Sequence, residues 1–181
     1  HISRMSKITG LSDVNVSRIG YSKNNNTIII IYENTNIDLI KNGNIFNVSD
    51  IKRADISGVK KINSLIIDDE LAYLSCSFGI VVLDIKNIEI KDTYYINSAG
   101  GDNSVNQIAI LNDSIYVASN NGIYSSSIYN AFLSDYNQWE KHNSFLNPTH
   151  VNKKFKNLVV FNGQLVAQMD QTVDSFFVYQ S

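Results

Sequence analysis

Ile30-Ile31-Tyr32-Glu33-Asn34-Thr35-Asn36-Ile37 aligns without gaps, at a shift of 43 residues, with Tyr73-Leu74-Ser75-Cys76-Ser77-Phe78-Gly79-Ile80. The same shift again reaches Tyr116-Val117-Ala118-Ser119-Asn120-Asn121-Gly122-Ile123. Each copy reads as a buried strand, a four-residue turn and a new strand that starts with Ile. Asn36, Gly79 and Gly122 share the last turn position, where tolerance of positive φ is useful. A second signature precedes each copy, at Asn15-Val16-Ser17-Arg18-Ile19, Asn63-Ser64-Leu65-Ile66 and Asn106-Gln107-Ile108-Ala109, with a weaker fourth at Asn157-Leu158-Val159-Val160. Each is followed by a tight turn (residues 24–26, 68–70, 112–114 and 162–163) and another strand.

A period of 40 to 50 residues built from short strands indicates β-propeller blades of four antiparallel strands. The second strand of each unit is nearly all apolar (Ile28 to Tyr32, Leu71 to Leu74, Ile115 to Ala118), as a strand covered on both faces must be. The expectation is an all-β chain, residues 1–181 forming one propeller domain of about four blades' worth, part of a larger propeller. The blades are placed at 16–48, 62–96, 105–142 and 157–181, the last with three strands, plus a spare strand at 2–8. Two arrangements are open: the spare strand completes the last blade and closes a four-bladed ring, or the chain is an arc with two exposed blade faces that invite pairing with a second copy. The linkers 49–61, 97–104 and 143–156 read as polar surface loops, and Ile128, Phe132 and Tyr136, four apart, predict a short helix within 127–137.

Composition agrees with sheets. Hydrophobic residues make up 44% and charged residues 18%, with ten Tyr and eight Phe. The net charge of −2 supplies no basic field for nucleic acid or an anionic membrane. No apolar run approaches the length of a membrane helix, and no apolar stretch of a signal peptide follows His1. The expectation is a domain cut from a longer protein.

Gly10-Leu11-Ser12-Asp13-Val14-Asn15-Val16 resembles the Gly-Leu-Ser-(Asp/Asn)-x-x-Val motif of two-component-regulator propeller repeats. The order of the segments C-terminal to it is more specific: Ile37-Asp38-Leu39-Ile40, Gly43-Asn44-Ile45-Phe46-Asn47, Ser49-Asp50-Ile51-Lys52-Arg53, Ala72-Tyr73-Leu74-Ser75, Phe78 to Asp84 and Ile90 to Ile96. This order resembles the N-terminal propeller of PorZ-type proteins of the Bacteroidetes type IX secretion system, densely over residues 5–96 and more thinly after. The resemblance implies a non-enzymatic binding or scaffold propeller, at the cell surface or in the periplasm of a Gram-negative bacterium. It would serve secretion and cargo attachment, with protein partners of a secretion complex or a cell-surface glycan. The alternative is a periplasmic ligand-sensing propeller of a two-component regulator. Against it, the Trp-(Ile/Val)-Gly-Thr run usual in such sensors is absent, and Tyr-Leu-Ser-Cys stands at 73–76.

No catalytic, cofactor-binding or metal site is expected. His142 and His150 lack metal-ligand spacing and read as solvent-exposed loop histidines. Asp68-Asp69-Glu70 falls at a hairpin turn, where solvated acids are ordinary. Gly100-Gly101-Asp102-Asn103 lacks the spacing of a calcium loop and reads as linker. Cys76 reads as a small core residue. Tyr94, Tyr95 and Trp139 read first as blade packing, and second as rim aromatics able to stack on a sugar or anchor a partner.

Overall fold

The computed structural model describes residues 4–98, 101–143, 150–170 and 175–179. Among these described residues, fifteen strands form four antiparallel sheets in strict sequence order. The first holds β1 (Val16–Ser22), β2 (Thr27–Tyr32), β3 (Ile37–Lys41) and β4 (Asn44–Val48). The second holds β5 (Ile62–Asp68), β6 (Leu71–Cys76), β7 (Gly79–Asp84) and β8 (Glu89–Tyr94). The third holds β9 (Val105–Leu111), β10 (Ser114–Ser119), β11 (Gly122–Ser127) and the two-residue β12 (Glu140–Lys141). The fourth holds β13 (Phe155–Phe161), β14 (Gln164–Met169) and β15 (Ser175–Tyr179). This is an open, partial β-propeller.

The all-apolar second strands follow from stacking. On β6, Ala72, Leu74 and Cys76 join the core shared with sheet one, while Tyr73 joins the core shared with sheet three. Sheet three meets sheet four through Ala109, Leu111, Ala118 and Ile123 against Phe155, Leu158, Leu165 and Ala167. A strand between two cores has no polar face to spare.

The turns explain why the chain is rich in Asn. Asn42-Gly43 and Asn162-Gly163 take positive φ at both residues, as do Asn112-Asp113, the hairpin turn that matches strand twist. Gly79 and Gly122 also take positive φ, at +144° and +114°. Asn36 does not: in the first blade Thr35 carries the left-handed residue instead, at +65°. Asn36 keeps ordinary backbone and spends its side chain on Asp13 and Asn47.

The Asn signature needs a correction. Asn63 and Asn106 sit at bulges where the inner strand slips against its neighbour. From there each amide reaches across to the next blade: Asn63 Nδ2 donates to Val105 O (2.8 Å), and Asn106 Nδ2 to Phe155 O (2.8 Å). The bulge positions in the outer blades are Ser17 and Lys156, not Asn15 and Asn157. Between the first two blades Arg18 does the joining, donating to Asn63 O at 2.8 Å. Asn63→Ala and Asn106→Ala are each expected to lower unfolding free energy by about 1–2 kcal/mol, since each strands a blade-joining carbonyl. Asn157→Ala, whose amide among the described residues meets only Gln168 on an exposed strand, should change it by less than about 0.5 kcal/mol. Urea denaturation of the three variants checks this.

Three further expectations change. The spare strand does not form over the described part of 2–8: Lys7–Thr9 is a 3-10 turn, and residues 1–3 lie outside the described residues. Ser6 N–H donates to Thr9 Oγ1 (2.7 Å) and Thr9 Oγ1 back to Ser6 O (3.0 Å), a local closure that outcompetes extension. Gly10 then turns the chain at φ +119°, and Leu11 buries against Ile30 and Tyr32 on the far face of sheet one. Among the described residues no strand lies beside β15 except β14. Second, residues 127–137 form turns and a 3-10 segment at Tyr136–Gln138 rather than an α-helix. Ser127, Asn130 and Asp135 each accept a hydrogen bond from a backbone N–H two residues on, which competes with helical bonding. The apolar anchors are Leu133 and Trp139, while Phe132 is 69% exposed. Third, the 49–61 linker holds a single helical turn, α1 (Asp50–Arg53), because Ile51 buries into the first core.

Candidate binding site

Polar or aromatic side chains gather at several places among the described residues. The first is the far face of sheet one. Asp38 is fully buried and accepts from Ser12 N (2.8 Å), Tyr32 Oη (2.7 Å) and Asn47 Nδ2 (2.9 Å). Burial alone would raise its carboxyl, and these donors outweigh burial and hold it below the usual range. Asp13 meets Lys52 Nζ at 2.7 Å and the amide of Asn34. Lys52 first, then Asn34, holds its carboxyl far below the usual range. Both carboxylates are met by donors from within the fold, so the cluster pins the 10–15 segment rather than receiving a ligand.

The second lies between the short turns of blades two and three. Asp68, Asp69, Glu70 and Asp113 border a cleft of about 500 Å³ with Lys91 and Tyr129. Asp69 accepts from Asn24 Nδ2 (2.7 Å), Asp113 from Tyr129 Oη (3.3 Å), and Glu70 pairs with Lys86 (3.1 Å). Asp68, Asp69 and Glu70 are exposed.

The third is on the opposite rim. The β6–β7 turn, the loop after β8 and the 128–139 insertion enclose a cleft of about 640 Å³. Its walls are pinned from below. Ser77 Oγ donates to Val59 O (2.6 Å) and accepts from Lys61 N (3.1 Å). Asn103 Oδ1 accepts from Asn97 N (2.8 Å) and Asp102 Oδ1 from Ser104 N (2.8 Å), which shapes the loop. Trp139 is buried, its Nε1 donates to Leu133 O (2.9 Å), and its ring lies 6.4 Å from that of Tyr94. Tyr94 and Trp139 therefore do pack between blades. Tyr95 and Tyr136 instead stand on the cleft, 45% and 43% exposed, with Phe78. Of the segment 100–103, Gly100 lies outside the described residues.

On the inner side, a cleft of about 300 Å³ is lined by Leu65, Ile66, Ile108, Val159 and Val160 among others, and none of its lining residues titrates. Among the described residues no group of three or more His, Cys, Asp or Glu could hold a metal. Cys76 is fully buried, and burial pushes its thiol up to about 12.

The histidines are not simple loop residues. His142 Nε2 lies 2.6 Å from Ser125 Oγ, and its ring stacks on Tyr116 at 5.7 Å between blades three and four. His150 packs on Phe177 at 5.1 Å. Burial lowers the His142 pKa, against an opposing pull from Glu140. A folded value below the unfolded one means the folded chain binds fewer protons, so the stability tied to His142 is present above about pH 6.5 and lost as pH falls below it. Denaturation midpoints are expected to drop from pH 7 to pH 5, and to drop less in His142→Gln.

Among the described residues no helix is long and apolar enough to cross a membrane. No curated protein matches the chain. Among solved structures it is similar to PorZ, a bacterial surface component of the type IX secretion system of Porphyromonas gingivalis: 24% identity, TM-score 0.78, covering 96% of this chain and 22% of that one. It is also similar to the extracellular domain of a protein assigned as the hybrid two component system BT3049 of B. thetaiotaomicron: 14% identity, TM-score 0.70, covering 97% of this chain and 25% of that one. The computationally designed Ika8 protein shares the fold at 11% identity and TM-score 0.58, covering 91% of this chain and 46% of that one. The chain thus spans about a quarter of the length of the two natural proteins. The family model for the N-terminal β-propeller domain of PorZ, of the type IX secretion system, matches residues 1–140, from the buried Leu11–Asp38 corner through Trp139, and the chain belongs to that family.

Proposed function

We propose that the chain is a non-enzymatic binding and scaffold propeller within a cell-surface or periplasmic protein that serves type IX secretion and cargo attachment. Membership of the PorZ propeller family over residues 1–140 carries this reading. Partners are proteins of the secretion complex or a cell-surface glycan, and the location is outside the cytoplasm. Cross-linking the full-length parent on intact cells and identifying its neighbours tests it. Secretion components or their cargo are the expected neighbours; recovery of neither overturns it.

The second reading is a ligand-sensing propeller of a two-component regulator, favoured by the Gly10-Leu11-Ser12-Asp13 corner and the fold shared with the B. thetaiotaomicron domain. A transmembrane helix and kinase encoded downstream in the parent gene would decide for it. Under both readings apolar side chains stand exposed at both ends of the arc among the described residues. Ile19 and Tyr21 stand exposed at one end, and Phe161, Phe176 and Val178 at the other. Such faces support pairing of two arcs when the chain is isolated. Its mass in solution checks this, with a dimer expected and a monomer counting against it.

A further inference from the structure

We propose that the rim cleft between blades two and three takes a basic side chain, Arg or Lys, from an extended segment of a protein partner. This rests on the binding reading above and names the chemistry of one site within it.

Three aromatic side chains, Phe78, Tyr95 and Tyr136, line the cleft, and among the described residues the only charged lining residue is Asp102. Rings attract a cation over their faces and cover its methylene stem. A lone carboxylate without a cation leaves negative potential to be met from outside. Asp102 Oδ1 holds Ser104 N, but Oδ2 has no hydrogen bond or ion pair among the described residues. The neighbouring lysines do not supply the missing charge. Lys60 Nζ is spent on the carbonyls of Ile51, Lys52 and Ala54, and Lys61 lines a different cleft, between blades one and two.

The carboxylate favours a cation over a neutral sugar, and part of the polar lining is already engaged. A saccharide site needs side-chain amides and hydroxyls free to pair with ring hydroxyls. Ser77 already bonds Val59 O and Lys61 N, Asn103 Oδ1 bonds Asn97 N, and Asn97 Oδ1 bonds Ser98 N. The Tyr95 and Tyr136 side chains, by contrast, make no hydrogen bond among the described residues. What remains open is ring surface with its two phenol hydroxyls, the hydroxyls of Ser57 and Ser134, and one carboxylate oxygen, whose charge favours a guanidinium or ammonium on an alkyl stem.

The test titrates the 181-residue chain, its tyrosines isotope-labelled, with the peptide acetyl-Gly-Arg-Gly-amide and with acetyl-Gly-Gln-Gly-amide. The Arg peptide is expected to shift the Tyr95 and Tyr136 ring resonances and saturate at about 1–10 mM, and the Gln peptide to shift neither. Asp102→Asn keeps the acceptor for Ser104 and should weaken binding about fivefold with an unchanged thermal melt. Tyr136→Ala should weaken it about tenfold, and Tyr136→Phe should not. Raising salt should weaken the wild-type interaction and leave that of Asp102→Asn unchanged. Equal shifts from both peptides, an unaltered Asp102→Asn, or shifts from cellotriose in place of the Arg peptide would each overturn the proposal. Failure here with secretion partners still recovered from cells removes only the assignment of this cleft; recovery of none removes the function reading itself.

Discussion

Asp38→Ala is expected to cost about 3–5 kcal/mol, enough to unfold a marginal domain at ordinary temperature. The carboxylate is the shared acceptor for Ser12 N, Tyr32 Oη and Asn47 Nδ2. Removing it leaves Tyr32 Oη, on a side chain 1% exposed, with a buried donor and no acceptor. It also frees the 10–15 segment, so Leu11 loses its hold over Ile30 and Tyr32. Asp38→Asn keeps the shape and one acceptor and should cost less, about 1–3 kcal/mol. Acid provides an independent check. The folded pKa of Asp38 lies below its unfolded 3.8, so its contribution is present above about pH 4 and is lost as pH falls through the lowered folded value. Urea midpoints followed from pH 6 to pH 2.5 should fall more steeply for the wild type than for Asp38→Asn. Equal slopes would mean the carboxyl titrates alike in both states.

The blade rhythm was legible because it is a burial rule. A small sheet with two apolar faces must stack, so the apolar second strands of the three complete blades repeat at a fixed interval, and the sheets follow in chain order. The joining amides were only half legible. Asn63 and Asn106 look alike in sequence and act alike, but Asn15 and Asn157 share the letter without the register, because a bulge decides which residue faces the next blade. The Asp13–Asp38 corner was visible as a motif, and its meaning was not. Its contacts join residues 6 to 39 positions apart, and no local pattern says which carboxylate meets Lys52. The rim cleft was less legible still. Tyr95 stood out as an aromatic, whereas Tyr136 read as one point of a helical stripe. The insertion instead hangs on Leu133 and Trp139, and that anchoring carries Tyr136 round to the cleft that Tyr95 lines.

Gly122→Ala is expected to destabilise by about 2–4 kcal/mol, for two separable reasons. The residue has φ +114°, where a side chain is strained, and an added Cβ would stand 2.5 Å from Val151 O and 3.0 Å from Lys141 Cε. Lys141 can swing aside; the Val151 carbonyl belongs to the backbone entering blade four and cannot move without opening the junction. Gly79→Ala meets the same obstacle, with Tyr94 O at 2.5 Å and φ +144°. Gly43→Ala is the control. It also has positive φ, at +78°, but nothing lies within 4 Å of the new Cβ, so only the strain remains, about 1 kcal/mol. The excess of Gly122→Ala and Gly79→Ala over Gly43→Ala in urea denaturation measures how closely backbone meets backbone at these two turns. Matching losses in all three would mean that φ alone fixes glycine there. An excess shared by Gly79 and Gly122 would mean that the 43-residue repeat preserves a close approach of chains as well as a turn.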